Sequence, residues 1–451
     1  MEPSTQIDSE HYSSHLSSVN NVQDVFATED IQNEQGQLIV PAGNSLDSKA
    51  AAQVVKFKLL KPIETSVAID GQLDAEALYQ AIRVIFLNDK ELRELWFMHN
   101  DDDELQKLCA GLSRYPLLLQ KLTVLKLQLP QVFNQAAFCA WLSQRLFIEE
   151  PEIARFELFV ATLFHDIGLL HLDPALLDKE HRQNAAQWRQ WQSHPLIAQQ
   201  IILSCKDLSV NCANAVAQHH ESPDATGFPR GLISKQICRE AQIIEVLDEV
   251  WHYYIDIFQP KERSLNDLIP LLQMNQNYRN NDDAEALILI FKSMPANELC
   301  FTPPAFIEPL IDFLQSKFHY IEQFLIITSE LNKIVGFKHG EKSLLGMQNM
   351  LIHIHVTLVR SGVMNAGYIR WIEQVKQEKL AHAYKEVEDV SLMLSVICNY
   401  CEQFMHALGR FVEEEYEHKQ QEAMQDIHQK LEKLERPEAN EILTDQIIEV
   451  S

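Results

Sequence analysis

Residues 161–177 read ATLFHDIGLLHLDPALL, and WQSHPLIAQQII at 191–202, AVAQHHESPDATGFPRGL at 215–232 and AQIIEVLDEV at 241–250 follow. These stretches set His165, Asp166, His194, His219, His220 and Asp248 inside or at the ends of apolar, helix-like runs. Imidazoles and carboxylates are costly to bury unless they are paired or bound to a metal, so repeated placement beside core-forming residues implies a shared polar centre. A metal cluster is the simplest such centre. Taken singly, each residue has a plainer explanation. A lone His beside apolar residues is more often a hydrogen-bonded core or surface group, Asp248 reads as a helix-surface charge, and Asp224 as a turn former ahead of Gly227. The ordered set is what points to chemistry.

Outward from this stretch, composition bounds the class. A chain of 451 residues carries a prior of about three domains. With 46% hydrophobic and 23% charged residues it has an ordinary globular balance. The formal net charge of -26 argues against a nucleic-acid polymer as partner, because phosphate binding draws on clustered Lys and Arg. A local basic patch still suits an anionic small ligand. The start MEPSTQIDSEHYSSHLSS has neither a basic opening nor an apolar core, so no signal peptide is expected. No apolar run reaches the roughly 18 residues of a membrane helix, so no membrane insertion is expected. The scattered cysteines suit free thiols in a reducing cytoplasm.

Residues 1–20, polar and Ser-rich, are expected to form a disordered tail. Residues 21–75 read as a small α/β module. Gly36 turns into a strand at Leu38, Ile39 and Val40, Asp47 or Ser45 caps a helix through Leu60, and Ser66 to Ile69 returns as a strand. Residues 76–130 form a helical connector, with Leu78, Ile82, Ile85 and Phe86 at helical spacing. Its run Asp101 to Glu104 reads as a solvated capping loop, since the calcium-loop pattern is missing. Residues 131–300 hold the polar cluster in mostly helical sequence.

Residues 301–451 form a C-terminal helical region, with Pro303 and Pro304 at its boundary. Leu380, Ala383, Val387, Val390, Leu394, Ile397, Cys401, Phe404, Leu408 and Phe411 alternate spacings of three and four, and Met424, Ile427, Leu431 and Leu434 continue them to Pro437. A long amphipathic helix with a coiled-coil-like seam follows. The 380–434 helix thus offers an interface for a homodimer or a partner protein. Cys398 and Cys401 on it read as core thiols, not a redox or zinc pair.

His-Asp-x-Gly at 165–168, His-Pro at 194–195, His-His-Glu at 219–221, Asp-x-x-Gly-Phe-Pro-x-Gly-Leu at 224–232 and the helix-borne Asp248 resemble the HD-GYP family of the HD phosphohydrolase superfamily, over about residues 131–290. EDIQNEQGQLIVPAGNSL at 29–46 is similar, more weakly, to a small domain found ahead of HD-GYP domains. The fold implied is mainly α: a helical-bundle HD-GYP domain with a small N-terminal α/β module and a C-terminal long-helix region. The resemblance implies two divalent ions, iron or manganese, and hydrolysis of cyclic di-GMP in a bacterial cytoplasm. Carried over by position, His165, Asp166, His194, His219, His220 and Asp248 match family metal ligands, with Asp166 the bridging, catalytic carboxylate, while Asp224, Gly227, Phe228 and Pro229 form the motif loop. Mixed imidazole and carboxylate ligation suits iron or manganese. Two such ions about 3.5–4 Å apart polarise a phosphodiester, activate water and stabilise the departing oxygen.

Adjacent side chains on a helix diverge by about 100°, so His165 and Asp166 face one ion only near a helix end, a freedom expected from Gly168. Departures from the family pattern bear on rate. Its Lys is Leu169 here, and losing such a group commonly costs about 10²–10³. Arg230 is the candidate catalytic substitute. The signature Tyr is Phe228, and an Asp-Gly becomes Asp224-Ala225, restricting the loop to angles a Cβ tolerates. The basic segment after the last Asp is WHYYIDIFQPKERS at 251–264, leaving Lys261 and Arg263 as nearby cations. The family's upstream His, due near Phe133 or Asn134, is absent. One ion would then keep His165, Asp166 and Asp248, and the other Asp166, His194 and one or both of His219 and His220. Two functions follow: a metal-dependent phosphodiesterase of weakened activity on cyclic di-GMP or a related phosphoester, and a catalytically degenerate HD-GYP regulatory or scaffold protein that senses nucleotide or metal and signals through its C-terminal helices.

Overall fold

The computed structural model describes residues 9–99, 102–178, 185–275, 281–295, 300–335, 342–413 and 421–437. Residues 1–8 of the expected tail and the end of the C-terminal region at 438–451 lie outside them. The described chain is mainly helical and gathers into two compact units, one of residues 1–220 with 238–251, the other of residues 221–237 with 252–451. These divisions differ from those expected at 75, 130 and 300. The N-terminal module packs with the helices that follow it, and residues 252–295 pack with the C-terminal helices.

In the first unit, α1 (Ser9–Val19) precedes β1 (Val25–Ala27), β2 (Ile31–Gln32) and β3 (Leu38–Val40), then α2 (Ser48–Lys56) and β4 (Val67–Ile69). β1 pairs antiparallel with β4, placing Val25 opposite Ile69, and β2 with β3, placing Ile31 opposite Val40. The Asp47 side chain caps α2 by accepting from the Lys49 and Ala50 amides, and extended backbone at Phe57 ends that helix short of the expected Leu60. Strands of two or three residues cannot bury a core by themselves. α1 supplies the missing cover: Tyr12, Leu16 and Val19 are fully buried, at spacings that put them on one face. The stretch expected as a tail is therefore a packed helix from Ser9 onward.

The connector is α3 (Ala75–Asn88), α4 (Lys90–His99) and α5 (Asp102–Gly111). Of the acidic run, Asp102, Asp103 and Glu104 open α5, Asp101 lying outside the described residues, with Asp102 accepting from the Tyr79 hydroxyl at 2.5 Å and Glu104 paired with Arg155 at 2.8 Å. Acidic residues in a first turn also suit the helix dipole. Next come α6 (Pro116–Gln128), α7 (Pro130–Leu146) and α8 (Glu152–Phe164), each of the first two opened by a proline at its start. α7 is buried on nearly every side, from Phe133 through Trp141 to Leu146. Its Phe138 and Trp141 stack with Phe86 and Trp96 of the connector at 4.6–6.0 Å.

After α8 the chain tightens into a 3-10 turn, Ile167–His171, then continues through α9 (Ala185–Trp191), α10 (His194–Leu203), α11 (Val210–Gln218) and α12 (Arg239–His252). Lys121 of α6 ties this turn to the N-terminal module. Its ammonium lies 3.1 Å from Glu64 Oε1, 3.1 Å from His171 Nε2 and 3.9 Å from the ring centre of Tyr12, which stacks on His171 at 5.1 Å. Burial pushes the Lys121 pKa down, against the raising effect of Glu64.

The second unit holds the loop 221–237 and α13 (Ile269–Asn275), α14 (Asn281–Ser293), α15 (Ile307–Val335), α16 (Lys342–Ser361), α17 (Ala366–Glu378), α18 (Tyr384–Glu413) and α19 (Gln421–Glu432). The seam residues Val387, Val390, Leu394, Ile397, Cys401, Phe404, Leu408 and Phe411 are buried, as are Met424, Ile427 and Leu431. α18 packs against α15, α16 and α19 of the same chain. The seam expected as an interface is thus internal core, and Cys398 and Cys401 are buried in it. Arg263 is also internal: buried between the rings of Phe258 and Phe301, it pairs with Asp267 at 3.1 Å, and Lys385 completes the network at 2.6 Å from Asp267 and 3.1 Å from Asp389. Among the described residues no helix is long and apolar enough to cross a membrane.

Candidate metal centre

The first unit brings His165, Asp166, His194, His219, His220 and Asp248 together. α8 ends at Phe164, His165 keeps helical angles as its cap, and Asp166 (φ -101°, ψ 8°) turns the backbone into the 3-10 segment. The change of pitch lets two adjacent side chains converge, with His165 Nε2 3.4 Å from Asp166 Oδ2. Gly168 contributes by size instead of by unusual angles. A Cβ at its position would overlap the His194 carbonyl oxygen and lie 2.9 Å from the carbonyl carbon, so only glycine lets the turn close on the start of α10.

Three imidazoles are held in one way. His165 Nδ1–H donates to Thr162 O at 2.7 Å, His194 Nδ1–H to Trp191 O at 2.7 Å, and His219 Nδ1–H to Val216 O at 2.6 Å. Each acceptor lies in the last turn of α8, α9 or α11, where carbonyls lack a helical partner. A carbonyl only accepts, so Nδ1 must carry the proton, and in the neutral ring Nε2 is left with a lone pair. The Nε2 atoms lie around Asp166: His194 Nε2 is 3.1 Å and His219 Nε2 3.5 Å from its Oδ1. One atom each from Asp166, His194, His219 and His220 lies within 4.8 Å of the others. His165 Nε2 is also 3.4 Å from Asp248 Oδ1, so a second group of His165, Asp166 and Asp248 shares Asp166 with the first.

His165, His194 and His219 are fully buried, Asp166 and Asp248 are 8% exposed, and His220 is half-buried. Nε2 of His165, Nε2 of His219 and Oδ1 of Asp166 are buried without a hydrogen bond. Each such orphan costs about 1–3 kcal/mol, and lone pairs that converge are satisfied by a cation. The donor set, imidazole nitrogen and carboxylate oxygen without thiolate, fits iron, manganese or zinc.

The electrostatics agree in sign. Burial lowers the His165 pKa, but Asp166 and Asp248 outweigh it and hold it well above the usual value. Burial alone would raise Asp166, but His165, with His194 and His219, holds it well below the carboxylate range. Loss of water, then neighbouring imidazoles, push His220 well down, and burial lowers His219. The carboxylates that hold a proton at His165 would hold a metal cation at the same nitrogen. Cys139 faces these charges as a neutral thiol, its pKa pushed far up by burial and then by Asp248 and Asp166.

One contributor was not foreseen in the sequence. Gln135 of α7, buried, donates its side-chain amide to Asp248 Oδ1. It lies one and two residues past Asn134 and Phe133, where the upstream His was sought. Leu169, in place of the family Lys, is buried core. Asp224, Gly227, Phe228, Pro229 and Arg230 belong to the second unit. There Asp224 is buried, and Arg230 is exposed with its backbone N–H donating to Glu221.

A family model described as HD domain matches residues 117–278. A 3'3'-cGAMP-specific phosphodiesterase of Vibrio cholerae is 36% identical over 88 residues, 20% of this chain and 19% of that protein. A cyclic di-GMP phosphodiesterase of Pseudomonas aeruginosa is 26% identical over 195 residues, 42% of this chain and 47% of that one. The chain thus spans less than half the length of these relatives. An HDG"Y"P protein of known structure from Bdellovibrio bacteriovorus shares 13% identity over 60% of this chain and 94% of its own, with a TM-score of 0.31, a likeness too loose to bear on the assignment. The matched segment carries the whole His-Asp, His, His-His and Asp series, and residues 117–278 are thus an HD domain of HD-GYP type, with departures at Leu169 and Phe228.

Proposed function

We propose that this chain is a metal-dependent phosphodiesterase acting on cyclic di-GMP or a closely related cyclic dinucleotide, with turnover reduced relative to a complete family site. The observation that carries this is the convergence of the His165, His194 and His219 Nε2 atoms on Asp166, each ring locked by its own helix-end carbonyl. His165, Asp166 and Asp248 would hold one divalent ion, and Asp166, His194, His219 and His220 a second. When bound, such ions act as Lewis acids toward a phosphoryl oxygen and lower the pKa of water.

The residues do the rest by position. Asp166 would contribute its carboxylate to both groups of ligands, and Gln135 fixes the carboxylate of Asp248. Buried Leu169 supplies no cation to offset charge developing on phosphate, which supports slow turnover. Protein loaded anaerobically with iron(II) or manganese(II) should convert cyclic di-GMP, and a His165→Ala, Asp166→Ala protein should not. Equal rates for the two would end this reading. The same buried Leu169 favours a second one, a sensor that binds metal and nucleotide without turnover, which equal rates with tight binding of cyclic di-GMP would support.

A further inference from the structure

Glu221, the residue after His220, is buried, and its two carboxylate oxygens accept from the backbone N–H groups of Arg230 at 2.6 Å and Leu232 at 2.7 Å. This ties residues 221–232 into a closed loop. Inside it Asp224 Oδ1 accepts from the Thr226 amide at 2.9 Å and from the Thr226 hydroxyl. Between them Ala225 has a φ of 67°. That left-handed conformation is free for glycine and costly for a residue with a Cβ. It persists where the surroundings over-determine it.

The surroundings lie on α16. Asn349 Nδ2 donates to the Asp224 carbonyl at 2.8 Å, fixing the peptide plane that leads into Ala225. One turn earlier on the same face, Gly346 lies against the loop: a Cβ there would rest in ordinary contact, 3.5 Å from the Ala225 carbonyl oxygen and 3.8 Å from Thr226 Cγ2. α16 itself packs on α18, α15 and α13, so the loop is seated on the C-terminal bundle.

We propose that Asn349 is a positioning residue: with Gly346 it holds the Asp224–Pro229 loop in its left-handed turn and gives the C-terminal helices control over the placement of that loop. The proposal rests on the proposed function, in which residues 224–229 are the motif loop that the family resemblance assigns. Its structural half, the clamp, is measurable without turnover.

The test uses the full chain loaded with manganese(II), as parent, as Asn349→Leu, and as Asn349→Leu with Ala225→Gly. Amide hydrogen exchange is followed by mass spectrometry, and kcat and KM are measured for cyclic di-GMP. Asn349→Leu should speed exchange at residues 222–234 about fivefold, leave exchange in α7 and α8 and the manganese content unchanged, and raise KM more than it lowers kcat. Ala225→Gly, which takes the turn unaided, should return KM toward the parent value. If Asn349→Leu fails to fold, Asn349→Ser is read in the same way. Unchanged loop exchange, or a KM that Ala225→Gly does not restore while kcat is measurable, overturns the clamp. Faster loop exchange with no turnover in any protein, parent included, supports the clamp and overturns the phosphodiesterase reading.

Discussion

Gly168 and His194 meet backbone to backbone: the Cα of one faces the carbonyl of the other so closely that a Cβ would overlap the oxygen and come within 3.1 Å of the Ala198 amide nitrogen. The obstacle is main chain, which cannot rotate away. Gly168→Ala must therefore push the 3-10 turn carrying His165 and Asp166 off the start of α10. Overpacking of this kind costs about 1–3 kcal/mol. A lower urea midpoint together with a lower bound-metal content is the expected result, and a variant matching the parent in both would contradict the packing described.

The Gln135–Asp248 hydrogen bond predicts a metal effect at a residue that need touch no metal. Partners that orient a ligating carboxylate commonly carry a factor of about ten or more in affinity. Gln135→Leu should weaken manganese binding by roughly tenfold, read by calorimetry on the stripped protein. Unaltered affinity would mean that Asp248 is not a ligand.

Acid and base should destabilise the metal-free chain for different reasons. His165 has a folded pKa raised above its unfolded value, so its contribution is complete below about pH 6.5 and fades as pH rises through the folded pKa. His219 and His220 have lowered folded pKa values, so theirs is intact above about pH 6.5 and lost on acidification. Asp166, also lowered, contributes above about pH 3.9 and is lost only as pH falls through its folded value. From these groups, stability of the stripped protein should peak near pH 6.5. Metal competes with the proton on His165, so binding should release protons and tighten as pH rises. Urea midpoints at pH 5, 6.5 and 8, with and without metal, measure both.

Phe404 is fully buried on α18 and meets Phe324 of α15 edge to face at 5.6 Å. Phe404→Ala should cost about 3–5 kcal/mol while leaving the mass in solution unchanged. A mass that fell on substitution would restore the seam to an intermolecular role.

How much of this was legible depended on the range of the interactions. Local chemistry was readable: Leu38–Val40 and Val67–Ile69 are strands, Asp47 is a cap, and the three-four spacing through Phe411 is one long helix. The spacing showed that a stripe must be covered but not by what, since an internal helix and a second chain satisfy it equally. Ser9–Val19 was misread because serine dominates it, although Tyr12, Leu16 and Val19 already had helical spacing. Gly168 was noticed for conformational freedom when the requirement was space, which only the approach of α10 reveals. Gln135 carried no signal, because a glutamine 113 residues from its partner resembles any polar residue on a helix.

The pairing of Lys121 with Glu64 bears on where this protein can be cut. A fragment starting at residue 117, the first of the matched HD segment, would keep the ammonium and discard both its carboxylate and the aromatic ring of Tyr12 above it. The cut would bare the ammonium to water and strip the stacked ring of Tyr12 from His171, five residues beyond Asp166. Excising the recognisable domain by its sequence borders would therefore uncover the turn that follows Asp166, and a fragment that keeps residues 9–116 should hold it better.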